Sequence, residues 1–268
     1  MTIKAIIQEA TKKLSDSGII TARLDCLILL EDTLAMSRAI ILAHDEQEIP
    51  RAAYEAFDQA VTRRCAHEPL AYIRGRVMFY GREFVVTPEV LVPRPETEAI
   101  IDLVKKLPLK KNPSIADIGT GSGCIGVTLS LELPGSSVDL YDISDEALAI
   151  ARQNSQLLQA QTSSHKSDLL TSLHGAYDVI VTNLPYVPDA YPINEAAEFE
   201  PALALFAGAD GLNAYRDFWQ QVSLLEHKPQ YILTESLPSQ HHALAMMARH
   251  HGYVLEKTSD FIQLLAAE

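Results

Sequence analysis

Apolar positions recur along this chain in two different periods. Over residues 2–66 the period is helical: Ile3, Ile6, Ile7, Ala10 and Leu14 follow Thr2, a side chain suited to an N-cap, and Gly18 offers a stop. Further helices are predicted over Ala22–Leu34 behind Thr21, over Arg38–Ala43, and over Ala52–Cys65 after Pro50, with Ala53, Phe57, Ala60 and Val61 on one face. The pattern then turns β-like at Val77–Tyr80 and Glu83–Thr87 around Gly81, which predicts a hairpin. A helix follows to about Leu107. From Ser114 onward strands (114–118, 137–142, 162–166, 178–182, 230–235, and a weaker pair near 253–258 and 261–265) alternate with helices (124–133, 145–158, 214–226, 239–250).

That alternation predicts an α/β fold with a mostly parallel sheet and helices on both faces. The expected division is a helical domain over 1–72, a hairpin linker over 73–90 and an α/β domain over 91–268. Ligands in such sheets bind outside the carboxyl ends of the strands. Those ends carry Asp117, Asp142, Asp168, Asn183 and Glu235.

Composition narrows the picture slightly. The chain has 268 residues, is 47% apolar and 21% charged, and has a formal net charge of −13. An acidic balance disfavours stable nucleic-acid binding, which rests on phosphate contacts. Arg63, Arg64, Arg74, Arg76 and Arg82 stand locally against one acid, Glu68, and read either as a solvated face or as a docking patch. Cys26, Cys65 and Cys124 match no zinc or redox spacing and suit a reducing, cytoplasmic setting. No apolar run is long enough for a membrane span. His241-His242 and His250-His251 have no supporting ligand spacing, so no metal is expected.

Two stretches carry chemistry. In Ala116-Asp117-Ile118-Gly119-Thr120-Gly121-Ser122-Gly123 a strand ends in a glycine turn that opens a helix. Free helix N–H groups and a backbone that a ligand can approach closely suit a nucleoside cofactor. The spacing Gly121-x-Gly123-x-x-Gly126 also satisfies the dinucleotide fingerprint. Asp117, however, would repel a pyrophosphate and attract the ammonium of an amino-acid tail, which favours S-adenosylmethionine. Asp142 is placed to accept both ribose hydroxyls.

The second stretch, Asp178 through Asn183-Leu184-Pro185-Tyr186, ends a buried strand in an amide, a proline and an aromatic. Pro185 pushes Leu184 to an extended conformation. The Leu184 carbonyl and the Asn183 side-chain oxygen then suit one planar NH2 group, with Tyr186 against its flat face. An Asn-initiated turn without a ligand is the plain alternative. Between hairpin and glycine turn, Pro93 and Pro95 hold Arg94 on a stiff loop, a reasonable pocket wall.

Asn183 to Tyr186 resembles the Asn-Pro-Pro-Tyr motif of methyltransferases acting on adenine N6, guanine N2 or glutamine amides. Glu68-Pro69-Leu70-Ala71-Tyr72-Ile73, Phe79-Tyr80-Gly81, Val90 through Glu98 and Phe199-Glu200-Pro201 resemble the release factor glutamine N5-methyltransferases over nearly the whole length. The resemblance implies a class I S-adenosylmethionine-dependent methyltransferase domain, Rossmann-like with a seven-stranded sheet, behind an N-terminal helical bundle that docks the release factor. The implied reaction methylates the glutamine of the Gly-Gly-Gln loop and leaves S-adenosylhomocysteine. By motif, Asp117, Gly119, Thr120, Gly121, Ser122, Gly123, Asp142 and Asn183 hold the cofactor, with Asp168 or Leu169 beside adenine. Asn183, Leu184, Pro185 and Tyr186 hold the glutamine amide and carry catalysis, and Arg94, Pro95, Glu96, Thr97 and Glu200 join the substrate site.

A cytoplasmic monomer, no membrane and no stable nucleic acid complete the expectation. Leu184 departs from the family's first proline, Leu169 from an aromatic found in some members, and Ser236-Leu237 from the usual residues after Glu235. The rival activities are methylation of an exocyclic amino group in rRNA or DNA, an NAD oxidoreductase, which lacks a His/Lys/Tyr constellation here, and a non-catalytic binding module.

Overall fold

The computed structural model describes residues 1–268, which divide into two compact units: Met1–Gly75 with Ile193–Phe199, and Arg76–Pro192 with Glu200–Glu268. The first unit is helical, with α1 (Ile3–Asp16), α2 (Ala22–Leu34), α3 (Arg38–Ala43), α4 (Arg51–Cys65) and α5 (Leu70–Arg74). The Thr2 hydroxyl accepts from the Ala5 N–H as the N-cap predicts, whereas Thr21 makes no side-chain cap. The periodic residues Ile3, Ile6, Ile7, Ala10 and Leu14 meet Cys26, Leu30, Phe57 and Val61 in one core. The short α5 has no period long enough to read from sequence.

The arginine run is not a free patch. Arg63 pairs with Glu68, Arg64 with the buried Asp25 at 2.8 Å, and Arg74 with Asp32 at 2.6 Å. In the second unit Arg76 pairs with Glu83 and Arg82 with Glu132. For Arg64, Arg74 and Arg82 the acid is distant in sequence and folds back onto the guanidinium, which a local charge count does not reveal.

The second unit begins with a hairpin, β1 (Arg76–Phe79) and β2 (Arg82–Val85), turning at Tyr80 and Gly81 in positive φ. This hairpin is part of the unit and no linker: Phe79 and Phe84 are buried in its core. After a single 3-10 turn, Pro95–Thr97, come α6 (Glu98–Val104), β3 (Ser114–Ile118), α7 (Cys124–Glu132), β4 (Ser137–Asp142), α8 (Asp145–Leu157), β5 (Thr162–Lys166) and β6 (Val179–Thr182). The chain ends with α9 (Ala202–Leu205), α10 (Asn213–Leu224), β7 (Tyr231–Glu235), α11 (His241–His250), β8 (Tyr253–Ser259) and β9 (Ile262–Ala267).

The seven strands run in the order β5-β4-β3-β6-β7-β9-β8, parallel except for the pairs of β9 with β7 and with β8. The chain leaves β3 toward one edge and returns through β6 toward the other, so the switch point lies between β3 and β6. Register does the rest. Tyr141, Ile118, Thr182 and Thr234 are partners across four strands, so Asp142, Gly119, Asn183 and Glu235 form the next row. Residues scattered over more than 100 positions thus meet at strand spacings of about 4.8 Å.

Candidate active site

The row opens into a cavity of about 330 Å³ in the second unit, within the range of small-molecule sites, about 300–1,000 Å³. Gly119, Thr120, Gly121 and Ser122 line it together with Asn183, Leu184 and Pro185. Gly119 takes φ +68, and a Cβ there would lie 3.2 Å from the Leu184 side chain. The Leu184 side chain therefore packs on the bare glycine, buried at 3% exposure, while the Leu184 carbonyl receives no hydrogen bond from the protein. Gly126 serves a different end: a Cβ would collide with Leu140 at 2.2 Å, so only glycine lets α7 sit this close to β4.

Asp142 lines the cavity and bridges the two loops. Its Oδ2 accepts the Gly121 N–H at 2.8 Å and its Oδ1 the Ser144 N–H at 3.0 Å. Burial raises its pKa, and those N–H groups act in the opposite direction. Each oxygen keeps acceptor capacity for a hydroxyl. Asp168 and Leu169 also line the cavity, Leu169 in a left-handed conformation at φ +51 with its carbonyl accepting from the Ser167 hydroxyl at 2.8 Å.

Asn183 and Leu184 present acceptors together. The Asn183 Nδ2 donates toward the Thr97 hydroxyl at 3.5 Å, which leaves Oδ1 without a protein donor. Arg94 lines the cavity and is tied to Glu200, whose Oε2 lies 2.5 Å from the guanidinium and whose Oε1 accepts the Val92 N–H at 3.3 Å. Burial raises the Glu200 pKa, against the pull of Arg94.

Several expected site residues lie elsewhere. Asp117 is fully buried behind the wall, and its Oδ2 accepts from the Thr120 hydroxyl and the Gly126 N–H, so it staples the turn and makes no cavity contact. Burial raises its pKa to about 6. Gly123, the N-cap of α7, packs against Ala151 and Val127 and not into the cavity. Pro95 and Glu96 face outward on the 3-10 turn, because the chain reverses there to start α6. Tyr186 is turned away from the cavity, its hydroxyl donating to Glu235 Oε1 at 3.2 Å. Glu200 reaches the cavity only through Arg94.

The structure adds lining residues that carry no motif. Ile143, an exposed apolar residue directly after Asp142, and Leu203 and Ala204 of α9 give the cavity its apolar faces. An apolar residue after an acid that ends a strand was the only available signal for Ile143. No cluster of three His, Cys, Asp or Glu side chains is arranged to hold a metal ion.

This donor set fits S-adenosylmethionine. Asp142 suits the ribose diol, the faces of Ile143 and Leu169 suit adenine, and the unpartnered acceptors of Asn183 and Leu184 stand beside the glycine turn.

Two family models match the chain: the PrmC N-terminal domain over residues 5–75 and the methyltransferase small domain over residues 99–199. A release factor glutamine methyltransferase of Koribacter versatilis is 39% identical over 228 residues, covering 83% of this chain and 81% of the relative. One of Deinococcus radiodurans is 32% identical over 264 residues, covering 97% and 95%. The chain belongs to the release factor glutamine methyltransferase family. It also spans 56% of a bifunctional methyltransferase of Rickettsia conorii at 31% identity over 299 residues, covering 98% of this chain. A solved methyltransferase from Pyrococcus furiosus shares the fold at TM-score 0.51 and 16% identity, covering 70% of this chain and 88% of that one.

Proposed function

We propose that this protein transfers a methyl group from S-adenosylmethionine to the side-chain amide nitrogen of the glutamine in the Gly-Gly-Gln loop of peptide chain release factors. The reading is carried by two unpartnered acceptors, Asn183 Oδ1 and the Leu184 carbonyl, lining a cavity that the glycine turn and Asp142 also line. S-adenosylmethionine, when bound, supplies a methyl group on a sulfonium.

An amide nitrogen is a weak nucleophile, and no strong base lines the cavity to deprotonate it first. The chain's contribution is therefore orientation. Asn183 Oδ1 and the Leu184 carbonyl each take one N–H of the glutamine amide, aim its nitrogen and stabilise the positive charge that grows as the N–C bond forms and the S–C bond breaks. The extra proton leaves the nitrogen afterwards. Arg94, held by Glu200, and Thr97 complete the substrate wall, and Asp142, Asp168 and Leu169 hold the nucleoside.

We assign release factor docking to the N-terminal helical unit. The protein is taken to act as a monomer in the cytoplasm; separately, no helix is long and apolar enough to cross a membrane. The test is mass spectrometry of a release factor incubated with the protein and S-adenosylmethionine. One added methyl on the Gly-Gly-Gln glutamine is expected. An unmodified release factor, with methylated RNA or DNA instead, would overturn the reading.

A further inference from the structure

Glu235 belongs to no motif that defines the site, yet its surroundings are unusual. It ends β7 in the same row as Asn183, which follows β6, and parallel neighbours in one row point their side chains to the same side of the sheet. It is 1% exposed, and no Lys, Arg or His pairs with it. A buried carboxylate without a cation is unfavourable unless hydrogen-bond donors hold it.

The donors here all come from the site. Burial raises the Glu235 pKa; against it act the Thr97 hydroxyl, the Tyr186 hydroxyl, which gives to Oε1 at 3.2 Å, and the Asn183 amide, all of which favour the ionised carboxylate. Oε2 is fully buried and makes no hydrogen bond of its own, so it keeps acceptor capacity. From β7 to the site the framework is stiff. The Tyr215 hydroxyl donates to the Glu235 carbonyl at 2.5 Å, and Gln240 donates to the Tyr186 carbonyl at 2.8 Å.

We propose that Glu235 is a positioning residue: from the neighbouring strand it draws the NH2 of Asn183 toward itself and so turns Asn183 Oδ1 into the cavity. An asparagine amide can sit either way round, and only one way presents an acceptor to a substrate NH2. In its ionised form the carboxylate can only accept, and so excludes the wrong one. The same carboxylate fixes the Tyr186 hydroxyl, which explains why that ring is turned away from the cavity. The proposal rests on the amide-methylating function given above.

The experiment is a charge-and-polarity swap. Glu235→Gln replaces an acceptor with a donor of the same shape. It is expected to lower kcat about 100-fold at unchanged KM for the release factor and unchanged S-adenosylmethionine affinity by calorimetry. Asn183→Asp sets two carboxylates face to face and is expected to lose activity similarly. In the double variant the introduced amide of Glu235→Gln donates to the carboxylate of Asn183→Asp, whose other oxygen faces the substrate. At least about tenfold recovery over either single variant is therefore expected. A Glu235→Gln enzyme with wild-type kcat, or a double variant no better than the worse single one, would overturn the proposal.

Nitrogen-15 NMR of asparagine-labelled protein tests the orientation without turnover. The Asn183 side-chain amide protons should be shifted downfield by the carboxylate in the wild type and lose that shift in Glu235→Gln; identical shifts would overturn the proposal. A wild type that leaves the release factor unmodified overturns the functional reading alone, because the NMR comparison still decides the orientation.

Discussion

At the scale of single residues, one carboxamide, Asn183, bears on turnover and one carboxylate, Asp117, on stability. Asn183→Ala removes one of the acceptors on which the proposed transfer depends while leaving the glycine turn and Asp142 in place. Turnover is expected to fall about 100- to 1,000-fold with little change in cofactor affinity, measured by single-turnover kinetics and calorimetry. Asp117 behaves differently. Its folded pKa, about 6, lies above the value of 3.8 expected in the unfolded chain. Between those values the folded state holds the proton that the unfolded state releases, so this group's contribution to stability falls as pH rises from about 4 to 6. Asp117→Asn removes that dependence. The melting temperature of the variant relative to wild type should therefore rise across this window. A difference that shrinks with increasing pH would contradict the burial of the charge.

At the scale of elements, the hairpin is tied to the site through one side chain. Asn154 of α8 is fully buried; its Oδ1 accepts the Val85 N–H at 2.7 Å, and its Nδ2 donates to the carbonyls of Val85 and Ser122, both at 2.9 Å. One residue thus joins β2, α8 and the glycine turn. Asn154→Ala leaves these backbone groups unsatisfied and is expected to destabilise the fold by about 2–4 kcal/mol. Because Ser122 lies in the cavity wall, cofactor affinity should weaken as well; urea unfolding and calorimetry check the two effects. A cofactor affinity equal to wild type would mean that the turn holds its shape without Asn154.

At the scale of the whole molecule, charge sets what the protein avoids. With a net charge of −13 and its arginine run paired to acids at every position, the surface offers little to a phosphate backbone. No saturable binding of duplex DNA or RNA is expected at physiological salt, as fluorescence anisotropy would measure. Tight binding there would favour a nucleic-acid substrate over a protein loop.

Much of this architecture was legible in one dimension. Helical periods marked α1 and α4, and the βα alternation predicted the strands from β3 to β9 within about two residues, because local period follows directly from burial on one face. The glycine turn and the Asn183–Tyr186 stretch could be read because their chemistry is contiguous. What crosses the sheet could not. Strand order and register, set by long-range pairing, alone decide that Glu235 stands beside Asn183, that Leu184 fills the space over Gly119, and that Asp117 faces inward while Asp142 lines the cavity. The arginine run shows the same limit. Its local charge is written in sequence, but the acids that neutralise most of it arrive only through tertiary packing, because electrostatic pairing depends on distance in space and not along the chain.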